Sequence, residues 1–450
     1  MDKRTRILTL FTLSLLVGCV RTTTPDQGGS VISGESTVQD ASEEESGSDN
    51  LSVDSDAAVI FADEDMELYV RKLIGKEEGT ITANDVEAVD SLNLGNKDIS
   101  AIDGIEYFTN LRILYLNNTE VSDLDALSGL TQLDYLDISN TQVDDVAALA
   151  DLTMLKILYL SNNDKLENLE PLEGLTQLET LYLNDTSVSD IRPLAGMIGL
   201  QLLKLRNTQV EDIAALSDLT QLRYLSLDNT QVADITALSG LTQLTILELE
   251  NTPIRDAGAL AALTQLISLN LSGTEVSDGS GLAGLDSLLT LDLSRTGISD
   301  LSPLADLMML TRLKLNSTPV EDIGSLAGLI ELTHLEMSEA QVNDVSALAE
   351  LTELVYLDLA WNQISSIDSF NNLIGVRYLN LAGNQISDVT ALASLVELWY
   401  LDVKENPISD IMPLTGLDNL GKLHISTADI SAEQQELLQN TLADCDIIWY

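Results

Sequence analysis

Residues 222–241 read Leu-Arg-Tyr-Leu-Ser-Leu-Asp-Asn-Thr-Gln-Val-Ala-Asp-Ile-Thr-Ala-Leu-Ser-Gly-Leu, and this stretch decides the fold. Its apolar positions are Leu222, Leu225, Leu227, Val232, Ile235, Leu238 and Leu241, with Thr230 after the strand-like part and Asp234 before Ile235. The template restarts at Leu244, Leu266, Leu288, Leu310, Leu332, Leu354, Val376, Leu398 and Leu420, and upstream at Val89, Leu111, Leu133, Leu155, Leu178 and Leu200. Sixteen copies result, every step 22 residues long except one of 23 between Leu155 and Leu178. A period this strict marks a solenoid in which each unit contacts only its neighbours.

Each unit opens with a period-2 segment, leucines to one side and variable residues to the other, which predicts a short strand. Each strand follows one full coil after the last, so the strands are parallel. Twelve units carry an Asp before the next apolar residue, from Asp123 to Asp410, with Ser366 an exception. A 22-residue coil leaves too little chain for a full helix there, so the spacing predicts a 3₁₀ turn capped by the Asp. Metal binding by this Asp row is the weaker reading, and no Cys/His ligand spacing accompanies it. Strands on one side and narrow turns on the other predict an arc with the sheet concave, about 75 Å long. One coil alone buries too few side chains to offset the entropy of ordering it, so stacking is obligatory.

The position occupied by Thr230 is Thr in nine copies, Asn in four (Asn163, Asn362, Asn384, Asn406) and Ala in two. A side chain here is expected to bond the neighbouring coil, with threonine hydroxyls acting in place of Asn. Ala340 has no such group, which predicts a weak seam across 338–342. The extra residue of the long repeat lies somewhere in 163–169, beside Tyr159 and Tyr182, and predicts either a bulge or a small pocket.

The ends are legible too. Asp63 is placed to cap a helix from Glu64 to about Ile74, closed by Gly75, and Thr82 starts a second short helix with Asp85 in the capping-box position. Ser431 starts a C-terminal helix carrying Leu437, Leu438 and Leu442, and 446–450 reads as a closing strand. At the N-terminus, Lys3, Arg4 and Arg6 precede an eleven-residue apolar run, Ile7 to Val17, too short to span a bilayer but suited to a signal peptide. It ends in Leu16-Val17-Gly18-Cys19, which resembles the bacterial lipobox; the resemblance implies cleavage before Cys19 and lipid attachment to it. Residues 20–57 carry nine acids, one base and few large apolar groups, a composition that predicts a disordered tether. The expected layout is a leader (1–18), a tether (19–57), a helical cap (58–88), repeats (89–430) and a C-terminal cap (431–450).

The chain carries 72 acids against 22 bases, a net charge of −50, which disfavours nucleic acid and anionic membrane surfaces as partners. Membrane contact is expected only through the lipid at Cys19. With two cysteines no disulfide framework is indicated, and Cys445 is expected to be a buried free thiol.

The repeats, the two-helix start and the Ile/Val-x-Asp-Ile-x-x-Leu turns resemble the internalin-type bacterial leucine-rich repeat proteins over about 61–450. The resemblance implies an α/β leucine-rich repeat solenoid whose concave face binds another protein at the cell surface. This sequence departs from better-known members in lacking an immunoglobulin-like segment after the repeats and a Leu-Pro-x-Thr-Gly sorting signal.

Strand parity assigns candidate binding residues to the concave face. Tyr115, Tyr135, Tyr159 and Tyr182 gather near its start, with Tyr224 further on; Tyr356, Tyr378 and Tyr400 share one strand position, with Trp399 and Trp361 close by. Such residues anchor interfaces, and they also stabilise sheets by cross-strand stacking; both readings stand. Charged candidates lie between them: Asp228, Glu248, Glu250, Asp292, Glu336 and Asp358, with Lys204, Arg206, Arg312 and Lys314. They suit a protein partner of basic or mixed charge. Recognition of cell-wall glycan, or an envelope-organising role, is the alternative. No cofactor is expected, and no enzyme: the histidines, His334 and His424, lie four repeats (about 19 Å) apart, and there is no nucleophile elbow or phosphate loop.

Overall fold

The computed structural model describes residues 56–450. The leader, Cys19 and nearly all of the tether therefore lie outside the described residues. From Val89 onward the chain winds through sixteen coils, numbered here by their starting residues from coil 1 (Val89) to coil 16 (Leu420). Every coil contributes one strand, from Ser91–Asn93 to Lys422–Ile425, and each strand pairs in parallel with the next. A seventeenth strand, Asp446–Trp449, closes the sheet against the last coil. The opposite side is a row of 3₁₀ turns, one between the strands of each two successive coils, and these coils form a curved leucine-rich repeat solenoid.

Pairing repeats one register throughout, Leu92 opposite Leu114 and so on to Leu401 opposite Leu423, so each repeat column becomes a row along the core. Leu222, Leu225, Leu227, Val232, Leu238 and Leu241 have no solvent exposure, and Ile235 has almost none. The Asp row caps the turns. Asp234 accepts the Thr236 N–H at 2.8 Å, and Asp145, Asp256, Asp322 and Asp344 do the same for the residue two positions on. Ser366 substitutes weakly, its hydroxyl accepting from Asp368 at 3.3 Å. The backbone N–H of Thr236, then its hydroxyl, holds the Asp234 carboxyl below the usual range. Among the described residues no group of His, Cys, Asp and Glu could hold a metal ion.

Both caps form as expected. Asp63 accepts from Asp65 and Met66 at the start of Glu64–Ile74, Gly75 ends that helix at φ 69°, and Thr82 with Asp85 makes the capping box of Ala83–Val86. Asp63 also accepts the Ser100 N–H at 2.9 Å, tying the first helix to coil 1. At the other end Ser431 caps Ala432–Thr441. Leu438 and Leu442 face the core, whereas Leu437 is exposed. Cys445 packs against the core as a free thiol, and burial pushes its pKa up to about 11.

Two expectations need correction. Most threonines do not bridge coils: Thr230 donates to Leu227 O of its own coil at 2.6 Å, and Thr119, Thr208 and Thr318 repeat this local bond, while Thr141 reaches the next coil only because Asn163 there meets its hydroxyl, at 2.8 Å. The side chain is too short to reach further. Nor is Ala340 a seam. Asn362 of the following coil reaches back to it, donating to Met337 O at 2.7 Å and accepting from Val342 N–H at 3.0 Å. The extra residue of the long repeat makes a bulge: it lies between Asn163 and Leu166, both fully packed, while the strands on either side stay in register.

Candidate functional site: the concave face

Two residues of each strand face outward, which gives two columns along the sheet. The first runs through Tyr135, Tyr224, Arg312, His334, Tyr356, Tyr378, Tyr400 and Lys422; the second runs through Tyr115, Asp137, Tyr159, Tyr182, Lys204, Asp292, Lys314, Glu336, Asp358, Asp402 and His424. The candidate tyrosines therefore come together in two clusters of different geometry. Tyr115, Tyr159 and Tyr182 stand in the second column and Tyr135 in the first, with successive centroids 4.8, 5.6 and 4.5 Å apart and ring planes at 47–80°. Tyr356, Tyr378 and Tyr400 keep to one column and stack face to face at 4.2 and 4.5 Å, tilted by only 3–4°. Strand spacing sets the separation of rings in one column, but not their tilt: Tyr159 and Tyr182 share a column and meet edge to face, the other favoured geometry of an aromatic pair.

The stack is longer than its tyrosines. His334 lies 5.8 Å below Tyr356, and His424 lies 5.6 Å from Tyr400 and from Tyr450, whose hydroxyl is 2.9 Å from His424 Nδ1. Tyr450 was not among the candidates, because it reaches the face from beyond the closing strand. Burial raises the pKa of Tyr356, Tyr378 and Tyr400, the last to about 12, and that of Tyr159 in the first cluster to about 12. These hydroxyls stay protonated at any physiological pH. Burial, then Arg312, lowers His334, and burial lowers His424.

Most charged candidates are engaged within the sheet. Lys314 pairs with Glu336 at 3.2 Å, Asp292 accepts the Ser294 N–H, and Asp358 accepts from Ala360 and Asn380. Lys204 sits over the rings of Tyr182 and Tyr224, and the Tyr224 hydroxyl donates to Glu248 at 2.6 Å. Arg312 has no carboxylate partner among the described residues. Burial leads the upward shift of Asp358 and of Asp137, both half-buried on the face.

Two tryptophans flank the stacked column. Trp361 follows the strand of coil 13 and is 48% exposed; Trp399 precedes the strand of coil 15 and is 60% exposed. Each lies against a glycine of the next coil. A Cβ on Gly383 would stand 2.3, 2.6 and 2.7 Å from three consecutive ring atoms of Trp361, distances that belong to a point above the ring plane. A Cβ on Gly421 would meet Trp399 at 2.5 Å from Nε1.

A position read over in the sequence underlies this arrangement. The residue just before the Thr/Asn column is left-handed in every coil from coil 1 to coil 15, as in Asn96, Asn118, Asn207 and Asn229 with φ of 55–60°. Seven coils place Asn there, and Asn–Asn bonds of 2.8–2.9 Å zip coils 1–3 and 6–8. In coils 12–15 the same position is Glu339, Trp361, Gly383 and Glu405. The recurrence of Asn, which tolerates positive φ, was the sequence signal for it.

A parallel sheet of regular coils with a variable concave surface defines a leucine-rich repeat protein. Family models described as a leucine-rich repeat region and as two-copy leucine-rich repeats match residues 88–234 and residues 220–262 and 352–394. An internalin F structure from Listeria monocytogenes is 30% identical, covers 82% of this chain and 97% of its own, and superposes with a TM-score of 0.58. A leucine-rich repeat protein of Leptospira interrogans (20% identity, 81% and 97% covered, TM-score 0.76) and the functional domain of internalin J (20%, 84% and 83%, 0.71) share the fold. No curated protein matches in sequence. The chain belongs to the internalin-type bacterial leucine-rich repeat proteins.

Proposed function

We propose that the concave face of coils 12–16 is a protein-recognition surface, on a chain held at the bacterial cell envelope by lipid on Cys19. The observation that carries this reading is the stacked column of Tyr356, Tyr378 and Tyr400 between two exposed tryptophans. Every coil offers the same backbone, so packing alone does not call for aromatic residues in these coils rather than the Thr, Ser or Ile of others. Tyr and Trp bury large areas at low entropic cost, which suits them to anchor a partner. The tyrosine cluster of coils 2–5 is a second, separate candidate surface. Leucine-rich repeat proteins act as binding scaffolds, and no catalytic step is part of this reading.

The glycan alternative draws less support from the tyrosines. Sugars pack on ring faces, and here the stacked faces are turned on one another, leaving edges and hydroxyls outward. Cross-linking on intact cells, followed by identification of what is attached, tests the proposal. Replacing Tyr356, Tyr378 and Tyr400 together by Thr, which retains strand preference, is expected to abolish capture while the coils remain folded. Full retention of the captured protein would overturn it, and salt-resistant pull-down of wall fragments would favour glycan. Cys19→Ser is expected to move the protein out of the membrane fraction. Among the described residues no helix is long and apolar enough to cross a membrane.

A further inference from the structure

The left-handed column of coils 12–15 reads Glu339, Trp361, Gly383, Glu405. Trp361 is the exceptional member. A bulky side chain rarely takes φ near +56°, and seven other coils meet the same requirement with Asn. Its ring does not stay above its own coil. It lies face-on over the backbone of Gly383 in the next coil, where any side chain would collide with it. The ring is thereby carried toward coil 15, whose residue in this column is Glu405, while Glu339 stands one coil behind. One face of the indole is against Gly383 and the other is open, in keeping with its 48% exposure.

We infer that Trp361 is a stacking site for a cationic side chain, arginine or lysine, of the protein partner, with Glu405 and Glu339 supplying the counter-charge. This deepens the concave-face reading and rests on it. Charge complementarity selects the occupant: the chain carries −50, and carboxylates stand on both sides of the indole along its own column. Trp is the aromatic that holds a cation best, within about 6 Å of the ring centroid. The same face already shows the chemistry, where Lys204 rests over Tyr182 and Tyr224 at 5.0 and 4.8 Å. Lys404, the basic neighbour of Glu405, is turned away, pairing with Asp402 at 3.2 Å and lying over the Tyr450 ring. Glu339 accepts from Ser317 at 2.9 Å, and the Glu405 carboxylate has no partner among the described residues.

The test uses the lipid-free chain with Trp399→Phe as background, titrated with a tetra-arginine peptide and followed by indole fluorescence and calorimetry. Saturable binding is expected. Trp361→Asn, which leaves the net charge untouched and installs the residue other coils use, is expected to weaken it about tenfold. Glu405→Gln with Glu339→Gln is expected to weaken it about fivefold, and a tetra-citrulline peptide to bind no more than weakly. Unchanged arginine affinity in Trp361→Asn would overturn the inference, as would equal affinity for citrulline. Saturation instead by an N-acetylglucosamine oligomer, insensitive to salt, would assign the ring to glycan. Capture of the cellular partner lost in the tyrosine variant but kept in Trp361→Asn would sink this inference and leave the concave-face reading standing.

Discussion

Coils 6–8 and coils 13–15 share one backbone but are laced by different ladders. In the first region the link lies outside: Asn207, Asn229 and Asn251, left-handed and none of them fully buried, bond one another, while Thr208, Thr230 and Thr252 bond only their own coils. In the second the link lies inside. Asn384 donates to Leu359 O and Leu381 O and accepts from Ile364 N–H, and Asn406 repeats this one coil on. The difference is one of reach, since an amide spans the gap that a hydroxyl cannot. It also has a consequence for the surface. Once the link is internal, the left-handed column is no longer needed for it, and Trp361 and Glu405 occupy that column.

Acidification tests what the two regions share, and its effect is expected to be the largest. The turn caps run through both, and hydrogen bonds accepted from the residue two positions on depress Asp234, Asp278, Asp300, Asp344 and, through the Thr390 side chain first, Asp388; Asp190 is drawn down to about 2 by Arg192. A depressed carboxyl stabilises the fold above its unfolded value near 3.9 and loses that contribution as pH falls through the folded value. Asp137, Asp228 and Asp358, raised by burial, act in the opposite sense, but the caps outnumber them. Urea unfolding in 0.5 M salt, which screens the net charge, is expected to show a steep loss between pH 4 and pH 2 in both regions. A region that kept its hydrogen-exchange protection at pH 2 would break the equivalence.

The ladders should separate the regions next. Asn384→Ala leaves buried carbonyls and the Ile364 N–H without partners, at a cost of about 3 kcal/mol. Asn362→Ala is expected to open the seam that Ala340 does not, with faster amide exchange at Val342. Thr230→Ala removes one bond within a coil and is expected to cost about 1 kcal/mol. Equal costs at Asn384 and Thr230, by urea unfolding, would mean the internal ladder carries no more than the local bond.

The architecture was legible because it rests on quantities that a sequence displays directly: the 22-residue period, the apolar columns, and the caps at Asp63, Thr82 and Ser431. The ladder was legible only in part. The Thr/Asn column was visible, but whether a side chain bonds its own coil or the neighbouring one depends on reach, which a column of letters does not show. The left-handed row was signalled by recurring Asn and passed unread. At the candidate site, parity placed the tyrosines on one face. It could not show that Tyr356, Tyr378 and Tyr400 stack while Tyr115, Tyr135 and Tyr159 tilt, nor that His334, His424 and Tyr450 extend the stack. Ring orientation follows from contacts between coils, as does the seat of Trp361 on Gly383.

The smallest expected effect bears most directly on why the regions differ. If Trp361 occupies the left-handed position for the sake of a partner, the fold alone would be better served by the Asn of coils 6–8. Asn adopts positive φ at lower cost than a bulky residue, and nothing in the internal ladder would change, because Asn362 makes its bonds independently. The loss of indole packing on Gly383 works against the gain. The net expectation for Trp361→Asn is a stability unchanged or raised by about 0.5 kcal/mol, measured by urea unfolding. The reverse exchange, Asn229→Trp, is expected to cost about 1 kcal/mol or more, because it also removes the amides that bond Asn207 and Asn251. A large loss in Trp361→Asn would instead make that tryptophan a structural clamp of coils 13 and 14, and the freedom ascribed to the outer column would disappear with it.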